Sequence, residues 1–478
     1  MLKFDYDIKK RKAIVIGNSD EFNALRDNFS IANPVAHILR KRNKFIPSRN
    51  YAITPTGQFD IGLFYEIEKY LITNQIVNIE ITDNFKSQYT VGYELNQLEF
   101  PLKLELRDYQ KTIITECIKN GRGIAVLGTG GGKTLVIATL IENFKKLKHK
   151  LKCLVIVPDI GLVEQTYKEF LEYAPTFSVS KWSGNNELNI ASDVIIANSK
   201  ILLSRFDENE WVKYVDLLIV DECHKINHGS EIGKIVNKIA TSNKFGFTGT
   251  LPPNKLDYWS VLGKFGAVIF EKTSHELREE NYLTDVEVKI CHIEYKTKLK
   301  KVKTLNTTEN YMNELEFIKN NSFRQDILRQ ICIKFNKNIL IMVNHIEHGE
   351  KLQAYLTENI QGRDVFFIQG SVDIEDRENV KYTMENKDNI ICIAMSSIFS
   401  TGVNIKNIHM IIFAAGGKAL IRTVQSIGRG LRLHPTKTKL VIIDIADNLY
   451  YGMQHAEDRK EIYSKEKIKY KTYLFNEK

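Results

Sequence analysis

Two series of short apolar segments, alternating with longer stretches of helical character, constrain the fold of this 478-residue chain more than any other feature. The first series is IAVL at 124, CLVIV at 153, VIIA at 194, LLIV at 217 and FGFT at 245, and the second is ILIMV at 339, VFFI at 365, IICIA at 390, MIIF at 410 and LVIID at 440. Strands that are apolar on both faces are typical of parallel sheets covered by helices on both sides. The pattern therefore predicts an α/β protein with two parallel sheets in tandem.

The residues outside the two series predict three further segments. Residues 1–97 lack the alternation and predict a small basic α+β domain, with a helix near 21–29, a hairpin through 45–59 and a helix at 61–72. Five lysines at 296–303 predict a linker or, alternatively, a contact with nucleic acid. The predicted domains are thus 1–97, 98–290, a linker at 291–315, 316–450 and a charged, helical tail at 451–478.

Composition excludes several classes of protein. The chain is 43% hydrophobic and 26% charged, which is typical of globular proteins and not of disordered or fibrous ones. Its six cysteines contain no C-x-x-C pair, so we expect buried thiols rather than a zinc site or disulfides. We expect no leader and no membrane span, and hence a cytoplasmic protein. The net charge of +9 is compatible with a nucleic-acid partner, but is also common in other soluble proteins.

The sequence GTGGGKT at 128–134 follows a predicted strand and precedes a predicted helix, which is the context of a phosphate-binding loop. We expect the amides of Gly130, Gly131 and Gly132 to face a polyphosphate, because glycine tolerates the positive φ angles that turn them inward. Lys133 would reach the β and γ oxygens, and Thr134 would present its hydroxyl to Mg²⁺. Leu127 stands where the strict pattern has its first glycine, so a glycine-rich turn with a surface lysine is the alternative.

A second element supports the phosphate site. In VDLLIVDECHK, an apolar strand ends in Asp221 and Glu222, which would lie at the carboxyl edge of the sheet where open α/β folds bind ligands. Asp221 can hold Mg²⁺ and Glu222 can take a proton from an attacking water. A solvated turn is the alternative for an Asp-Glu pair taken alone.

The order of the motifs resembles that of the superfamily-two helicases and translocases over residues 100 to 445. The matching segments are LRDYQ at 106, GTGGGKT at 128, VIVPDIGLVEQ at 155, ANS at 197, DECH at 221, TGT at 248, SSIFSTGVN at 396 and QSIGRGLR at 425. Within the superfamily the chain is most similar to the UvsW-type branch-migration helicases of phages, through FSTGVNIKNIHMIIFA, QSIGRGLR and a basic N-terminal domain. The resemblance implies two tandem RecA-like domains, and a host-cell cytoplasmic location if the protein is phage-encoded.

The resemblance also implies roles for individual positions. Arg107 and Gln110 would bind adenine, which makes ATP the expected nucleotide, with Thr129 in the loop that holds its phosphates. His224, Thr248 and Thr250 would couple the phosphate site to the nucleic acid. Ribose and interdomain contacts would come from Gly402 and Asn404, although Ser397 and Thr401 stand where many relatives have Asp and Arg.

Gln425, Arg429 and Arg432 would face the γ-phosphate from the second domain. Their spacing of four and three residues places them on one face of a helix. An arginine against the transferring phosphoryl group can raise the rate about 10³- to 10⁵-fold. A solvated helix face is the alternative for such a pair of arginines alone. If the roles hold, the site is complete only when the two domains close.

The resemblance further implies a nucleic-acid path across both domains. Its contacts would come from Pro158, Asn198, Ser199, His345, Gly370 and Ser371, and would be to phosphate and sugar, hence independent of base sequence. In the N-terminal domain no acidic residue lies between Asp27 and Asp60, whereas basic residues alternate with aromatics there. Arg40, Arg42 and Lys44 could therefore hold duplex DNA. Ordinary loops and a solvated hairpin are the alternatives.

Together these features predict a monomeric ATP-dependent DNA helicase or translocase that acts on branched DNA in recombination, replication or repair. Opening a duplex costs about 1.4 kcal/mol per stacked step, whereas moving a branch point exchanges one base pair for another at almost no cost. A motor without a large accessory domain is suited to branch migration, fork regression and short strand displacement. An RNA-remodelling helicase and an ATP-switched binding module without translocation are the alternatives.

Overall fold

The computed structural model describes residues 1–478 except 34–35, 37–46, 95–97, 100–101, 149, 159, 185–187, 298, 300–301, 303, 370–373, 397–406, 416–436 and 478. The chain forms two compact units. The first comprises residues 1–127 and 132–273, and the second comprises residues 128–131 and 274–478. No helix in the described part of the chain is both long enough and apolar enough to cross a bilayer.

A seven-stranded parallel sheet forms the centre of the first unit, in the order β13-β7-β12-β11-β8-β10-β9. Its strands are β7 (Gly123–Leu127), β8 (Cys153–Val157), β9 (Val179–Trp182), β10 (Val194–Asn198), β11 (Leu217–Asp221), β12 (Lys244–Thr248) and β13 (Val268–Lys272). Its helices are α4 (Asp108–Asn120), α5 (Lys133–Leu147), α6 (Ile160–Glu172), α7 (Ser199–Arg205), α8 (Glu231–Lys238) and α9 (Lys255–Phe265). All five predicted strands of the first series are confirmed.

The two edge strands of this sheet were not predicted. Residues of β7, β8, β10 and β12 are buried throughout, which gives these strands continuous apolar sequences. By contrast, β9 alternates between buried and half-buried residues, and β13 has no fully buried residue. An edge strand is covered less completely, so its sequence carries a weaker apolar signal.

The N-terminal region forms a four-stranded mixed sheet in the order β5-β2-β1-β6, and a separate two-stranded sheet of β3 and β4. Its elements are β1 (Leu2–Asp7), β2 (Lys12–Ile16), α1 (Ser19–Asn28), β3 (Ser30–Ala32), β4 (Arg49–Tyr51), β5 (Gln58–Phe59), α2 (Phe64–Thr73), β6 (Ile79–Ile81) and α3 (Asp83–Tyr89). The two predicted helices are confirmed. The predicted hairpin through 45–59 is wrong, because β4 pairs with β3 whereas β5 pairs with β2.

The N-terminal region shares its hydrophobic core with the first sheet's helices. Phe4, Phe64 and Phe85 pack edge to face, and Leu256 and Trp259 of α9 belong to the same buried cluster. The predicted separate domain at 1–97 is therefore part of the first unit. Trp259 is only 3% exposed, because residues of the N-terminal region pack against it.

A buried ion cluster also joins the N-terminal region to the first sheet. The carboxylate of Asp60 contacts the ammonium groups of Lys12 and Lys264, one at each oxygen. Asn237 donates a third hydrogen bond to Asp60, with an Nδ2–Oδ1 distance of 2.9 Å. Burial alone would raise the pKa of Asp60, but Lys264 and Lys12 hold it well below its usual value.

A second seven-stranded parallel sheet forms the centre of the second unit, in the order β16-β17-β15-β18-β19-β14-β20. Its strands are β14 (Asp285–Glu294), β15 (Ile339–Val343), β16 (Val365–Ile368), β17 (Ile391–Met395), β18 (Met410–Phe413), β19 (Lys439–Asp447) and β20 (Tyr470–Asn476). Its helices are α10 (Ser274–Glu279), α11 (Thr307–Asn320), α12 (Ser322–Ile333), α13 (Ile346–Asn359), α14 (Ile374–Asn386) and α15 (Tyr450–Lys465). The two parallel sheets confirm the predicted fold class.

Three predicted boundaries change. The first unit ends at residue 273 rather than 290, because β14 is a strand of the second sheet. The predicted linker at 291–315 includes the end of β14 and the first nine residues of α11. The predicted tail at 451–478 contains most of α15 and all of β20, which pairs with β14. Lysines and tyrosines on the exposed face of β20 concealed this strand from the apolar pattern.

Buried ion pairs hold the elements of the second unit together. Arg324 of α12 donates to Asp447 at the end of β19, with an Nε–Oδ1 distance of 2.8 Å, and to the carbonyl of Ala414 at 2.6 Å. Tyr295 donates to the same carboxylate at 2.5 Å. Arg459 of α15 pairs with Asp444 of β19, and both side chains are buried. All six cysteines are buried, as predicted, and none of them pairs with another in a disulfide.

Candidate functional site

The predicted phosphate loop lies between β7 and α5, at the carboxyl edge of the first sheet. The backbone amide of Gly131 donates to the carbonyl of Gly128 at 3.0 Å, which closes a turn around Thr129 and Gly130. Gly132 is the residue that precedes the first turn of α5, whose helix begins at Lys133. A helix N-terminus at this position favours an anionic ligand.

The glycines of this loop have different backbone requirements. Gly130 and Gly132 have positive φ angles of 86° and 82°. Gly131 is not among the positive-φ residues, so the expectation of positive φ angles at all three glycines is wrong at this position. A Cβ atom at Gly132 would lie 2.4 Å from Nε2 of Gln110. Gln110 therefore packs directly against the loop.

Gly132→Ala should lower nucleotide affinity about tenfold or more, because the added methyl group strains the loop. Each factor of ten in affinity corresponds to about 1.4 kcal/mol of binding free energy. The variant combines an unfavourable φ angle with a contact against Gln110. Gly184→Ala is the matched control, because Gly184 has a φ of 56° but no atom within 4 Å of the added Cβ. Titration with a fluorescent ATP analogue measures both variants. Equal affinities would contradict a phosphate-binding role for this loop.

The two acidic residues of DECH lie at the carboxyl end of β11, which β12 separates from β7. Asp221 is the last residue of β11, and its Oδ1 accepts the backbone N–H of Glu222 at 2.9 Å. The Nζ atom of Lys133 lies 3.5 Å from Oε1 of Glu222. The side chain of Lys133 is only 11% exposed. The fold thus brings together the lysine and the acids, which are about ninety residues apart in the sequence.

Glu222 has an unusual backbone and an ionised carboxylate. Its φ and ψ angles of 52° and 45° are left-handed, a conformation that costs about 1–3 kcal/mol in a residue other than glycine and occurs mainly at functional sites. Burial would raise the pKa of Glu222, but Lys133 and a hydrogen bond from His224 together hold it well below its usual value. The carboxylate of Glu222 is therefore ionised at neutral pH.

A chain of polar contacts leads from Glu222 to the end of β12. Nδ1 of His224 lies 3.3 Å from Oε2 of Glu222 and 2.7 Å from Oγ1 of Thr248. The hydroxyl of Thr248 donates to the carbonyl of Thr250 at 2.8 Å. Since the carboxylate of Glu222 can only accept, these contacts are satisfied together when His224 carries its proton on Nδ1. Thr248 is fully buried, whereas the side chains of His224 and Glu222 are 32% and 26% exposed, so only the Thr248 end of this chain of contacts is shielded from water.

The predicted nucleic-acid residues of the first sheet also cluster at its carboxyl edge. Asn198 and Ser199 both donate to the carbonyl of Pro158, at 3.3 Å and 3.1 Å. The Oδ1 atom of Asn198 accepts the backbone amide of Lys200 at 2.9 Å and caps α7. Asn198 is only 2% exposed, so its side chain shapes the loop from inside. Ser199 and the backbone remain the groups suited to contact a ligand there.

Comparison with known proteins gives the family. The chain matches the model of the type III restriction enzyme res subunit over residues 103–253 and that of the helicase conserved C-terminal domain over residues 323–434. It is 28% identical over 399 residues to the ATP-dependent DNA helicase uvsW of Enterobacteria phage T4, over 77% of each chain. Together these matches indicate a superfamily-two helicase. This helicase is an ATP-hydrolysing enzyme, as predicted.

Other relatives of this helicase are more distant or larger. It is 25% identical over 363 residues to the putative ATP-dependent helicase IRC3 of Saccharomyces cerevisiae, covering 71% of this chain and 51% of that relative. Among solved structures, an ATP-dependent Type ISP restriction-modification enzyme bound to DNA, LlaBIII, matches with a TM-score of 0.60 and 14% identity. That match covers 84% of this chain and 34% of the other, and it shows the fold alone.

The helicase holds Arg107 and Gln110 at the start of α4. The backbone N–H of Arg107 donates to Oε1 of Gln110 at 2.9 Å, and the guanidinium of Arg107 donates to the hydroxyl of Tyr109 at 3.1 Å. Lys272, at the end of β13, lies over the ring of Tyr109 at 5.2 Å from its centroid. Tyr109 and Lys272 were not predicted. LRDYQ contains Tyr109, but its contact with Lys272 depends on pairing between β13 and β7.

Asp221 and Thr134 suit Mg²⁺ through the chemistry of their oxygen atoms. Among the described residues no group of three or more His, Cys, Asp or Glu side chains could hold a metal by itself. Mg²⁺ commonly takes one or two protein oxygens and completes its shell with phosphate and water. A carboxylate and a hydroxyl at one sheet edge fit this mode better than they fit a metal site built from protein alone.

Several predicted site residues lie outside the described part of the chain. His345 is described: it directly precedes α13 and follows β15 and Asn344, and its side chain makes no capping hydrogen bond. The predicted residues outside the described part are Arg40, Arg42, Lys44, Gly370, Ser371, Gly402, Asn404, Gln425, Arg429 and Arg432.

Proposed function

We propose that this helicase is a DNA-stimulated ATPase that moves branch points in DNA. Its reactions would be branch migration, fork regression and displacement of short strands during recombination, replication or repair. The observation that carries the proposal is the chain of contacts from Lys133 through Glu222 and His224 to Thr248. This chain supplies both a hydrolytic site and a route from that site to the neighbouring loops.

The proposed hydrolytic step begins with a change of partner for Lys133. In the structure Lys133 faces Glu222, and a bound triphosphate would attract its ammonium group instead. Glu222 would then be able to orient a water molecule and accept its proton. Bound Mg²⁺, held by Asp221 and Thr134, would neutralise charge on the β and γ phosphates. Arg107, Gln110 and Thr129 would bind the remainder of the nucleotide.

The second sheet would supply the groups that complete hydrolysis. Gln425, Arg429 and Arg432 would face the γ-phosphate, and Gly402 and Asn404 would contact the ribose or the first sheet. Arginines in this role stabilise charge in the transition state and contribute about 10³- to 10⁵-fold in rate. Because these residues lie on a different sheet from Lys133, hydrolysis would depend on domain closure and thereby produce motion.

The same loops would carry the signal to DNA. His224, Thr248 and Thr250 would transmit changes at Glu222 to the loop edge occupied by Pro158, Asn198 and Ser199. The path of the bound DNA strand would continue on the second sheet, at His345, Gly370 and Ser371. Arg40, Arg42 and Lys44 would contact duplex phosphates, so binding by the N-terminal region would weaken with salt.

Similarity to a phage DNA helicase supports DNA over RNA as the substrate. Branch movement is supported by its energetics, because pairs broken ahead of the branch are replaced by pairs formed behind it. The protein would need to supply direction rather than a large opening energy. We propose a monomer as the active form, because the predicted ATP site needs no residue from a second copy of the chain.

A comparison of DNA and RNA substrates tests the proposal. We expect DNA to stimulate ATP hydrolysis, and four-way junctions and forks to be remodelled only when ATP is hydrolysed. Lys133→Ala serves as the inactive control, because it removes the phosphate-binding charge. Stronger stimulation by RNA forks would favour an RNA-remodelling helicase. ATP binding and hydrolysis without movement of any branch point would favour an ATP-switched module and contradict the proposal.

A further inference from the structure

A cavity of about 230 Å³ lies within the first unit, where the N-terminal region meets helices α8 and α9. Asp60, Lys12 and Lys264 line one side of it. Tyr51 and Trp259 line another side, and Lys234 extends from α8. The cavity is separate from the phosphate loop, since none of its lining residues belongs to residues 128–134.

The charge of the cavity favours an anion. Its lining has three lysines, Lys12, Lys234 and Lys264, against one carboxylate, Asp60. Asp60 is already compensated by two of these lysines. Lys234 makes only a surface pair with Glu231, and its side chain is 60% exposed. Asp257 lies nearby, but its Oδ1 accepts the backbone N–H of His228 at 2.8 Å.

The walls of the cavity favour an aromatic or sugar group next to the anion. Tyr51 and Trp259 line the cavity, but a cation lies over each ring and Trp259 is only 3% exposed, so these residues offer ring edges rather than a free stacking face. Arg26 lies 3.6 Å from the centroid of Tyr51, and Lys255 lies 4.8 Å from that of Trp259. The volume is below the roughly 300–1,000 Å³ typical of pockets for drug-sized ligands. It suits a single phosphate with part of its nucleotide.

The position of the cavity links it to the hydrolytic site. Asn227, His228, Gly229 and Ser230 line it, and they follow Glu222 and His224 by only a few residues. A short 3₁₀ turn, Cys223–Lys225, is the only element between Glu222 and this loop in the described chain. Tyr51, which also lines the cavity, belongs to β4, and β4 follows in the sequence the basic segment that contains Arg40, Arg42 and Lys44. A ligand in the cavity would touch the loop at 227–230 and Tyr51.

We propose that this cavity binds a phosphate group with its adjoining sugar or base, and that the occupant is a nucleotide of the bound DNA. The proposal rests on the proposed function, because it gives the DNA motor a second contact behind the DECH motif. Lys234 would contact the phosphate, and Tyr51 and Trp259 would face the sugar or base. Occupancy would favour one conformation of the loop at 227–230 and so make ATP hydrolysis sensitive to duplex beside the branch.

Lys234→Gln tests the phosphate contact. We expect duplex affinity to fall severalfold, and the slope of log affinity against log salt to decrease by about 0.9, the value for one phosphate contact to B-form DNA. Lys86→Gln is the matched control. Both lysines are exposed, at 60% and 62%, and both pair with an acid three residues earlier. Each variant removes one positive charge from the first unit. A smaller salt slope for Lys234→Gln but not for Lys86→Gln would therefore come from a local contact between Lys234 and a phosphate.

Tryptophan fluorescence tests the occupant. Wild-type protein is titrated with duplex DNA, with dAMP and with inorganic phosphate, and Trp259→Phe identifies the part of the signal that comes from the cavity. We expect duplex DNA to change the signal of Trp259. Saturation by dAMP or phosphate without competition from DNA would instead identify a free nucleotide or anion as the occupant and overturn the assignment to DNA.

Equal salt slopes for Lys234→Gln and Lys86→Gln, with no change in Trp259 fluorescence, would overturn the cavity site altogether. ATP hydrolysis by wild-type protein with single-stranded DNA is measured in parallel. If single-stranded DNA stimulates ATP hydrolysis by the wild-type protein, only the cavity proposal has failed. Absence of any stimulation in the wild type would contradict the proposed function itself.

Discussion

Glu222→Gln should lower the turnover of ATP about 10²- to 10⁴-fold, the contribution typical of a positioned general base. The glutamine side chain has nearly the same shape, and its single oxygen can still accept from one of the two donors, Lys133 or His224. ATP binding should therefore persist while hydrolysis stops. Steady-state turnover with saturating DNA, together with binding of a fluorescent ATP analogue, separates these two effects.

Glu210→Gln is the control for this substitution. Glu210 also pairs with a lysine, Lys213, but it lies in a surface turn away from the sheet edge. We expect its turnover to match that of the wild type. If Glu222→Gln retained turnover within a factor of two, the assignment of Glu222 as the base would be wrong.

Asp60→Ala should destabilise the first unit by about 3–5 kcal/mol, because it leaves a buried ammonium group without its partner. Lys264 is only 9% exposed, so water cannot replace the lost carboxylate. Urea unfolding followed by tryptophan fluorescence reports on this unit, since all three tryptophans, Trp182, Trp211 and Trp259, lie within it. Asp83→Ala is the control, because Asp83 is fully exposed in its pair with Lys86.

The effect of Asp60→Ala should depend on pH in a defined direction. The pKa of Asp60 is lowered in the folded protein, so its ion cluster stabilises the fold above the unfolded pKa of about 3.9. That contribution is lost as the pH falls below this value. The difference between Asp60→Ala and wild type should therefore be constant near neutral pH and shrink in acid. A difference that persisted unchanged at pH 3 would contradict an electrostatic origin.

The apolar patterns predicted all ten strands of the two series, because strands buried on both faces leave no place for polar residues. Patterns failed where a strand is partly exposed. Examples are β13, which pairs with β7, and β20, which carries Lys471 and Tyr473 towards solvent. The predicted end of the first domain at residue 290 is wrong for the same reason. The apolar pattern did not reveal β14, which begins at Asp285 and belongs to the second sheet.

Motif spacing predicted which residues gather at the carboxyl edge of the first sheet, but contacts among them required the structure. The pair of Lys133 with Glu222 was not predicted, although both residues were. Gln110 was expected to bind adenine, and the structure shows that it also packs against Gly132. Roles that involve Gln425, Arg429 and Arg432 remain predictions.

The sequence alone determined the two parallel sheets, the phosphate loop and the acids of DECH, because each depends on local patterns of apolar residues, glycines and charges. Only the tertiary structure decided that β12 lies between β7 and β11, which places Thr248 beside His224. It also decided that the N-terminal region shares a core and an ion cluster with α9. Strand order and packing between distant segments depend on the whole chain's burial of apolar surface, and no short motif records them.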